Sequence, residues 1–200
     1  MASKIIVDQL EKSGLTALTL PTGNATANQY IKNDGAGALS WATLPGGGKI
    51  LQIVQGTVLT DTQSSTSASF VDMSPSLQVS ITPSATTSKI LLNFAVTVGL
   101  NLGWHAYFRI LRGVTAVGIG VANGSRKQAT MEVSTGSVAI PTNGAMTYLD
   151  SPATTSATIY KIQWATESAG TIYLNRSHTW TDSSNWSTCI CTITAMEVGA

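Results

Sequence analysis

Residues 173 to 186 carry the side chains best suited to recognising a ligand. This stretch contains two tryptophans, a tyrosine, a histidine, an arginine and several amide and hydroxyl groups. Tryptophan rings stack on the apolar faces of sugars, while carboxylates and amides bind sugar hydroxyls. The pattern therefore predicts a carbohydrate-binding loop. The candidate binding residues are Tyr173, His178, Trp180, Asp182, Asn185 and Trp186.

The same loop also has a purely structural interpretation. Trp180 and Trp186 would then anchor the loop to the core or fill a contact between subunits. Packing is the simpler interpretation, because tryptophan is enriched at protein interfaces in general. The sequence leaves both interpretations open.

The acidic residues do not form a catalytic pair by their spacing. Cleavage of a glycosidic bond needs two carboxyl groups held close together, whereas the acids after residue 48 are scattered and fall mostly in predicted turns. No Gly-x-Ser-x-Gly nucleophile motif occurs, and the glycines before Lys49 lack the Gly-Lys-Ser/Thr ending of a phosphate loop. We expect no enzyme and no catalytic residue. The scattered acids are Asp61, Asp72, Glu132, Asp150, Glu167, Asp182 and Glu197.

Cys189 and Cys191 are the only cysteines, and on a strand both would point to one face. That geometry does not suit an unstrained disulfide. We interpret them as small, buried side chains with reduced thiols. A metal site would need further ligands, and His105 and His178 lie at unhelpful distances along the chain. His105 is interpreted as a surface or interface residue. We expect no metal and no cofactor.

The composition is poor in charge. The chain has 200 residues, of which 43% are hydrophobic and 10% charged, against about 25% charged in an ordinary soluble domain. A surface that associates with other copies needs fewer charges. The formal net charge of +1 provides no field to attract nucleic acid or anionic lipid. The one local basic cluster, Arg126-Lys127, is interpreted as solvated surface.

The N-terminal residues contain too short an apolar run for a secretory signal, and no stretch approaches the roughly 18 apolar residues of a membrane span. We therefore expect a protein made and kept in the cytoplasm, with no insertion into a membrane.

Hydrophobic residues alternate with a period of two after residue 48, which predicts β-strands. The clearest strand covers residues 88 to 100, where Ile90, Leu92, Phe94, Val96, Val98 and Leu100 share one face. Many short strands separated by Gly, Pro, Asn and Ser predict an all-β sandwich or jelly roll. The other candidate strands are 49–59, 77–81, 104–112, 114–121, 127–133, 158–165, 171–175 and 188–198.

Two of these strands carry further expectations. We expect strand 77–81 to lie beside strand 88–100, because only a turn containing Pro83 separates them. The closing strand 188–198 has apolar residues on both faces. It is therefore expected to be central in a sandwich or pressed against a neighbouring subunit.

Residues 1–44 form a different kind of segment, an extended N-terminal arm with few large apolar residues. Residues 45–48, Pro-Gly-Gly-Gly, are a predicted hinge, and residues 49–200 form the predicted head domain. Within the arm, 15–20 is a possible strand, while Tyr30-Ile31 and 39–42 are expected to pair around Asn33-Asp34-Gly35. Ordering each residue costs about 1 to 2 kcal/mol of backbone entropy, so the arm must dock on a partner. The alternative is a disordered tail.

The arm resembles a segment of tail fibres and other virion appendages of tailed bacteriophages. The resemblance lies in residues 18–41, LTLPTGNATANQYIKNDGAGALSW, about a tenth of the chain with several defined positions. The head is similar in pattern and length to the trimeric jelly rolls of the tumour-necrosis-factor and C1q type. The parts that carry this second resemblance are the strand 89–100, the strand 106–112 after it and the closing strand 189–198.

The resemblance implies a structural component of a phage virion. We expect a homotrimeric tail fibre or receptor-binding protein, anchored to other virion proteins through residues 1–44, whose jelly-roll head binds a glycan or protein of the host surface. A head fibre or capsid decoration protein would share this fold and differ in what the arm contacts. A polysaccharide depolymerase is the enzymatic alternative. A free sugar-binding protein is a further alternative, but such a protein would have little use for an unpacked arm.

Overall fold

A computed structural model describes residues 9–10, 17–43, 50–60, 62–101, 104–137, 139–167 and 170–199. The chain divides into two compact units, Met1–Gly47 and Gly48–Ala200. The predicted hinge at 45–48 lies outside the described residues. Every regular element within the described ranges is a β-strand, so the predicted all-β class is confirmed. In the same ranges, no helix is long and apolar enough to cross a membrane.

Within the described residues, four strands belong to the N-terminal unit. They are β1 (Gln9–Leu10), β2 (Leu18–Thr19), β3 (Gln29–Asn33) and β4 (Leu39–Thr43). β3 and β4 are antiparallel, with Tyr30 opposite Ala42 and Ile31 opposite Trp41, which confirms the predicted hairpin. Its connection is wider than a two-residue turn. The Asp34 side chain accepts hydrogen bonds there from the backbone N–H groups of Ala36 and Ala38.

Twelve strands belong to the part of the C-terminal unit that the structure describes. They are β5 (Ile50–Gln55), β6 (Ser64–Ser65), β7 (Val71–Asp72), β8 (Gln78–Ile81), β9 (Lys89–Leu100), β10 (His105–Arg112), β11 (Thr115–Val117), β12 (Met131–Ser134), β13 (Thr142–Asp150), β14 (Thr158–Thr166), β15 (Ile172–Leu174) and β16 (Thr192–Val198).

These strands form two antiparallel six-stranded sheets. In sheet 1, β10 and β14 are the central pair; β11 and β12 flank β10, while β7 and β8 flank β14. In sheet 2, β16 lies between β5 and β9. β15 pairs with the same edge of β9 beyond the end of β16, and β13 pairs with the opposite edge, since Val98 lies opposite both Leu174 and Thr142. β6 extends this sheet beyond β15. Buried residues of both sheets contribute to one hydrophobic core.

The long strand β9 contributes the largest share of that core. The six alternating residues that the sequence placed on one face are each at most 1% exposed. From sheet 1, Phe108, Ile110, Tyr160 and Ile162 fill the same core and are fully buried. Full burial of each large apolar side chain stabilises the fold by about 1.5 to 3 kcal/mol, so this shared core explains why the two sheets stay together.

The prediction that strand 77–81 lies beside strand 88–100 is wrong. β8 pairs with β14, where Val79 lies opposite Tyr160, and it belongs to sheet 1, whereas β9 belongs to sheet 2. The turn containing Pro83 carries the chain from one sheet to the other. Both strands therefore bury apolar residues in the same core without exchanging hydrogen bonds.

Several predicted strand boundaries also change. The strand predicted at 114–121 ends at Val117, because Gly118 adopts a left-handed φ of 59°, and the one at 127–133 begins at Met131. The closing strand begins at Thr192. Cys191 before it is buried, but Cys189 is only half-buried, so the predicted burial of both cysteines is wrong for Cys189. β13 was not predicted at all.

Two buried carboxylates connect separate parts of the C-terminal unit. Asp150 at the end of β13 accepts hydrogen bonds from Arg112 Nη1 at 2.9 Å and Tyr160 Oη at 2.7 Å. Arg112 and Tyr160 lie in sheet 1 and Asp150 in sheet 2, so this contact joins the sheets. Burial and the bond to Asp150 raise the pKa of Tyr160.

Glu197 on β16 is the second of these carboxylates. It accepts hydrogen bonds from the backbone N–H and hydroxyl of Ser84, both at 2.6 Å, and from Gln52 Nε2 at 2.6 Å. Burial alone would raise the pKa of Glu197, but these bonds outweigh it and lower the pKa from 4.5 to about 2. The charged form therefore holds the turn after β8 against β5 and β16.

We expect Glu197→Gln to lower the free energy of unfolding at pH 7 by about 1 to 3 kcal/mol, since it removes charge-assisted hydrogen bonds. Because the folded pKa lies below the unfolded one, this stabilisation is present above pH 4.5 and is lost as the pH falls towards 2. The melting temperatures of the native protein and the variant should therefore converge as the pH falls from 4.5 towards 2. Asp182→Asn, which removes an exposed loop carboxylate, is the control. If the melting temperatures of the native protein and Glu197→Gln differed by the same amount at every pH, the stabilising role of the charged Glu197 would be contradicted.

Candidate carbohydrate-binding loop

Five of the six predicted binding residues lie on the loop between β15 and β16, which we call the aromatic loop (residues 175–190), and Tyr173 lies on β15 just before it. The loop starts at Asn175, whose φ of 61° is left-handed and whose side chain is fully buried. Asn175 Nδ2 donates to the Leu59 carbonyl at 2.9 Å, and Asn175 Oδ1 accepts a hydrogen bond from Cys191 Sγ at 3.0 Å. Its carbonyl accepts the N–H of Cys189 at 3.0 Å. One asparagine therefore ties both ends of the loop to the core.

The first turn of the aromatic loop packs directly on β9 at Gly99. A Cβ added to Gly99 would lie 2.4 Å from the Arg176 carbonyl oxygen and from the His178 backbone nitrogen. Only glycine permits this approach, because backbone atoms cannot yield as a flexible side chain can. The loop therefore lies over the outer face of sheet 2 at the end of β9.

Arg176 organises the aromatic side chains at this end. Its guanidinium carbon lies 4.0 Å from the centroid of the Tyr173 ring and 5.2 Å from that of Trp180. The Tyr173 and His178 rings meet edge to face, 5.2 Å apart. His178 Nδ1 is buried and has no hydrogen-bond partner among the described residues. Tyr173, His178 and Trp180 thus form one cluster around an arginine that the candidate site residues did not include.

A pocket of about 410 Å³ lies next to this cluster. Trp180, Asp182 and Trp186 line it together with the hydroxyls of Ser183, Ser187 and other loop residues. Trp180 is 41% exposed, so its ring is available to a ligand. Trp186 is half-buried, and its Nε1 donates to Thr181 Oγ1 at 3.0 Å. The pocket combines two indole rings with a carboxylate and hydroxyls, which is the chemistry that a sugar ring requires.

The structure brings five of the six predicted site residues together in two overlapping groups. Tyr173 and His178 join Trp180 in the arginine cluster, whereas Asp182 and Trp186 join it in the pocket. Asn185 lies in an exposed turn and does not line the pocket. Trp180 is the residue shared by both groups. A signal for Arg176 was present in the sequence, because arginine beside several aromatic residues favours cation–π contacts.

The other residues considered for chemistry have structural partners. Asp72 accepts hydrogen bonds from Lys161 Nζ and Gln163 Nε2, both at 2.7 Å. Glu132 bonds His105 Nδ1 at 2.6 Å. Burial raises the pKa of Cys191 to about 11, so this thiol is protonated at neutral pH. Asp61 lies outside the described residues. No group of three metal-ligating side chains occurs among the residues that the structure describes.

We expect the double substitution Trp180→Ala and Trp186→Ala to abolish binding to cells or to isolated surface glycan without lowering the melting temperature by more than a few degrees. Both rings lie on the pocket and outside the main core cluster, so their loss removes stacking surface and two contacts local to the loop but no packing of the core. Asn185→Ala, in the same loop but away from the pocket, is the control. A large loss of thermal stability in the double variant would instead show that the tryptophans pack the structure.

Comparison with known proteins provides no relative from which to transfer a function. No family model matches the chain, and no curated protein matches it significantly.

Proposed function

We propose that the protein is a structural component of a tailed-bacteriophage virion, a homotrimeric tail fibre or receptor-binding appendage. Residues 1–44 serve as the attachment arm and residues 49–200 as the projecting head. The observation that carries the self-association is an exposed apolar row on the outer face of sheet 2. The support for a virion role is the resemblance of residues 18–41 to phage appendage arms.

The apolar row crosses four neighbouring strands in register. Ile53 lies opposite Met196, Met196 opposite Leu91, and Leu91 opposite Leu149. Ile53 is 61% exposed and Leu149 46% exposed, while Leu91 and Met196 between them are half-buried. A contiguous apolar row of this kind marks a contact surface, because exposed apolar area is costly in water.

The residues beside this row favour a second copy as its partner. The next row on the same face, Gln55, Thr194, Asn93 and Thr147, is polar but uncharged. Asn93 Nδ2 donates to Thr147 Oγ1 at 3.0 Å, which satisfies part of that row internally. Two adjacent rows without charge, one of them apolar, suit contact with the same rows of other copies, since like charges would otherwise meet around the symmetry axis.

The strand order supports a jelly roll for the head. Counted along the chain, the eight principal strands are β5, β8, β9, β10, β12, β13, β14 and β16. Their order is first, eighth, third and sixth in sheet 2, and second, seventh, fourth and fifth in sheet 1. This is the arrangement of two interleaved Greek keys, as in jelly rolls of viral capsid proteins.

The N-terminal unit has the properties of an attachment segment. Its hairpin leaves Tyr30 40% exposed and Ile31 50% exposed, although Trp41 Nε1 is satisfied by the Gly23 carbonyl at 3.1 Å. Two short two-stranded sheets bury little apolar area, and an isolated hairpin is only marginally stable in water. The arm is therefore expected to gain stability on other virion proteins.

A head fibre or capsid decoration protein is the second candidate, because it would use the same head and arm on a different part of the particle. A depolymerase has less support. Asp72, Asp150 and Glu197 are occupied by structural hydrogen bonds, and these residues lie on separate strands.

We expect the native protein to have three times the chain mass of 20.8 kDa in light scattering. Ile53→Lys with Leu149→Lys should shift it to monomers, since two charges would be buried at the contact. Val114→Lys with Val121→Lys is the matched control, because both valines are about 90% exposed on loops away from sheet 2. A monomeric native protein, or equal dissociation of both variants, would contradict the proposed interface.

The virion role is tested by electron microscopy of intact particles labelled with gold-conjugated antibody to the head. We expect label at the tail, and label on the capsid would favour the second candidate. Particles carrying a deletion of residues 1–44 should lose the label while the purified head still associates. Absence of label from intact particles would overturn the virion role.

A further inference from the structure

A second pocket lies on the outer side of sheet 1, remote in the chain from the aromatic loop. It has a volume of about 440 Å³ and is open to solvent. Three of its lining residues are cationic, Arg109, Arg126 and Lys127. The pocket is also lined by Gln128 and by two apolar residues, Phe70 and Ile119. The whole chain has only 11 lysines and arginines, so three of them at one pocket are a high local concentration of positive charge.

The three cations are held by neutral oxygen atoms. Arg109 Nε and Nη2 donate to Gln163 Oε1 at 2.9 and 2.7 Å. Arg126 Nη1 donates to Asn123 Oδ1 at 3.1 Å, and Lys127 Nζ donates to the Ala68 carbonyl. The ion pairs within the described ranges involve other cations: His105, Arg112 and Lys161. The positive charge of the pocket is therefore not neutralised by a bonded carboxylate.

Asp72 is the carboxylate connected to this network, and it is already engaged. Its Oδ1 accepts a hydrogen bond from Gln163, the residue that also contacts Arg109, while its Oδ2 pairs with Lys161 at 2.7 Å. The Lys161 and Gln163 bonds lower the pKa of Asp72. The Arg109 charge also lowers the pKa of Asp72, but Arg109 directs its bonds from Nε and Nη2 to Gln163, which leaves Nη1 for another acceptor.

The pocket is formed before any ligand arrives. The Arg109 guanidinium lies 4.4 Å from the centroid of the Phe70 ring, which fixes its plane. The loop that carries Arg126 and Lys127 is closed by the Gly120 N–H to the Ala129 carbonyl at 3.1 Å and by Gln128 Nε2 to the Gly120 carbonyl at 2.8 Å. Such preorganisation lowers the entropic cost of binding.

We propose that this pocket binds an acidic sugar, whose carboxylate or phosphate group is held by Arg109, Arg126 and Lys127. Guanidinium groups bind both kinds of oxyanion through paired N–H donors. The Phe70 ring and Ile119 provide an apolar wall for the sugar ring. Free inorganic phosphate has the same kind of oxyanion but has no sugar ring to contact the apolar wall. The proposal is independent of the trimer and of the virion role.

The binding is measured by saturation-transfer difference NMR on the full-length protein, with glucuronic acid, glucose 6-phosphate and glucose as probes. We expect saturable signals from at least one acidic sugar and none from glucose at the same concentration. Inorganic phosphate, added as a competitor, should displace the sugar only at higher concentration, because it makes no contact with the apolar wall.

Arg126→Gln with Lys127→Gln should weaken binding of the acidic sugar about tenfold or more, as expected for the loss of charge-assisted hydrogen bonds. Both side chains are exposed on a loop, so the fold is retained. Lys32→Gln with Lys89→Gln removes two positive charges elsewhere and should leave binding unchanged. The proposal is overturned if neither acidic sugar gives a saturable signal, if glucose binds equally well, or if both double variants weaken binding to the same extent.

Discussion

The burial of one face of β9 is the constraint on which the C-terminal unit depends. Each of its six inward side chains loses essentially all contact with water, and the strand exchanges hydrogen bonds with β13, β15 and β16. A shift of one residue in any of these registers would turn the inward side chains of the shifted strand to the outer face. The register of β9 therefore determines which residues of its neighbours face the core and which form the outer face of sheet 2.

Buried polar groups then determine how the ends of the two sheets meet. Asp150 joins the sheets through Arg112 and Tyr160, and Glu197 fixes the turn by which the chain crosses from sheet 1 to sheet 2. Such contacts are specific because each buried charge must find particular donors. In a chain with so few charged residues, those that are buried serve to hold the architecture, and those that cluster at the surface are candidates for binding.

The two outer faces of the sandwich differ accordingly. Sheet 2 presents the apolar row from Ile53 to Leu149, which suits contact with other copies, whereas sheet 1 presents the cationic pocket around Arg109. The aromatic loop covers the end of sheet 2 at Gly99 and leaves that row uncovered. The proposed contact between copies and the proposed acidic-sugar pocket therefore lie on different faces of the C-terminal unit, whereas the aromatic loop shares the sheet 2 face with the apolar row.

The sequence by itself determined the all-β class, the core face of β9, the arm hairpin and the concentration of aromatic residues in the loop, because each follows from period-two patterning or local turn chemistry. It could not determine β13. Apart from Met146, the residues from Thr142 to Thr147 are small or polar, and they become a strand only by pairing with β9. Likewise, the sequence could not determine that β8 pairs with β14, which lies far along the chain. Arg109 meets Arg126 and Lys127 at one pocket only after folding. These contacts join residues distant in sequence or depend on loop conformation, for which local patterns carry no information.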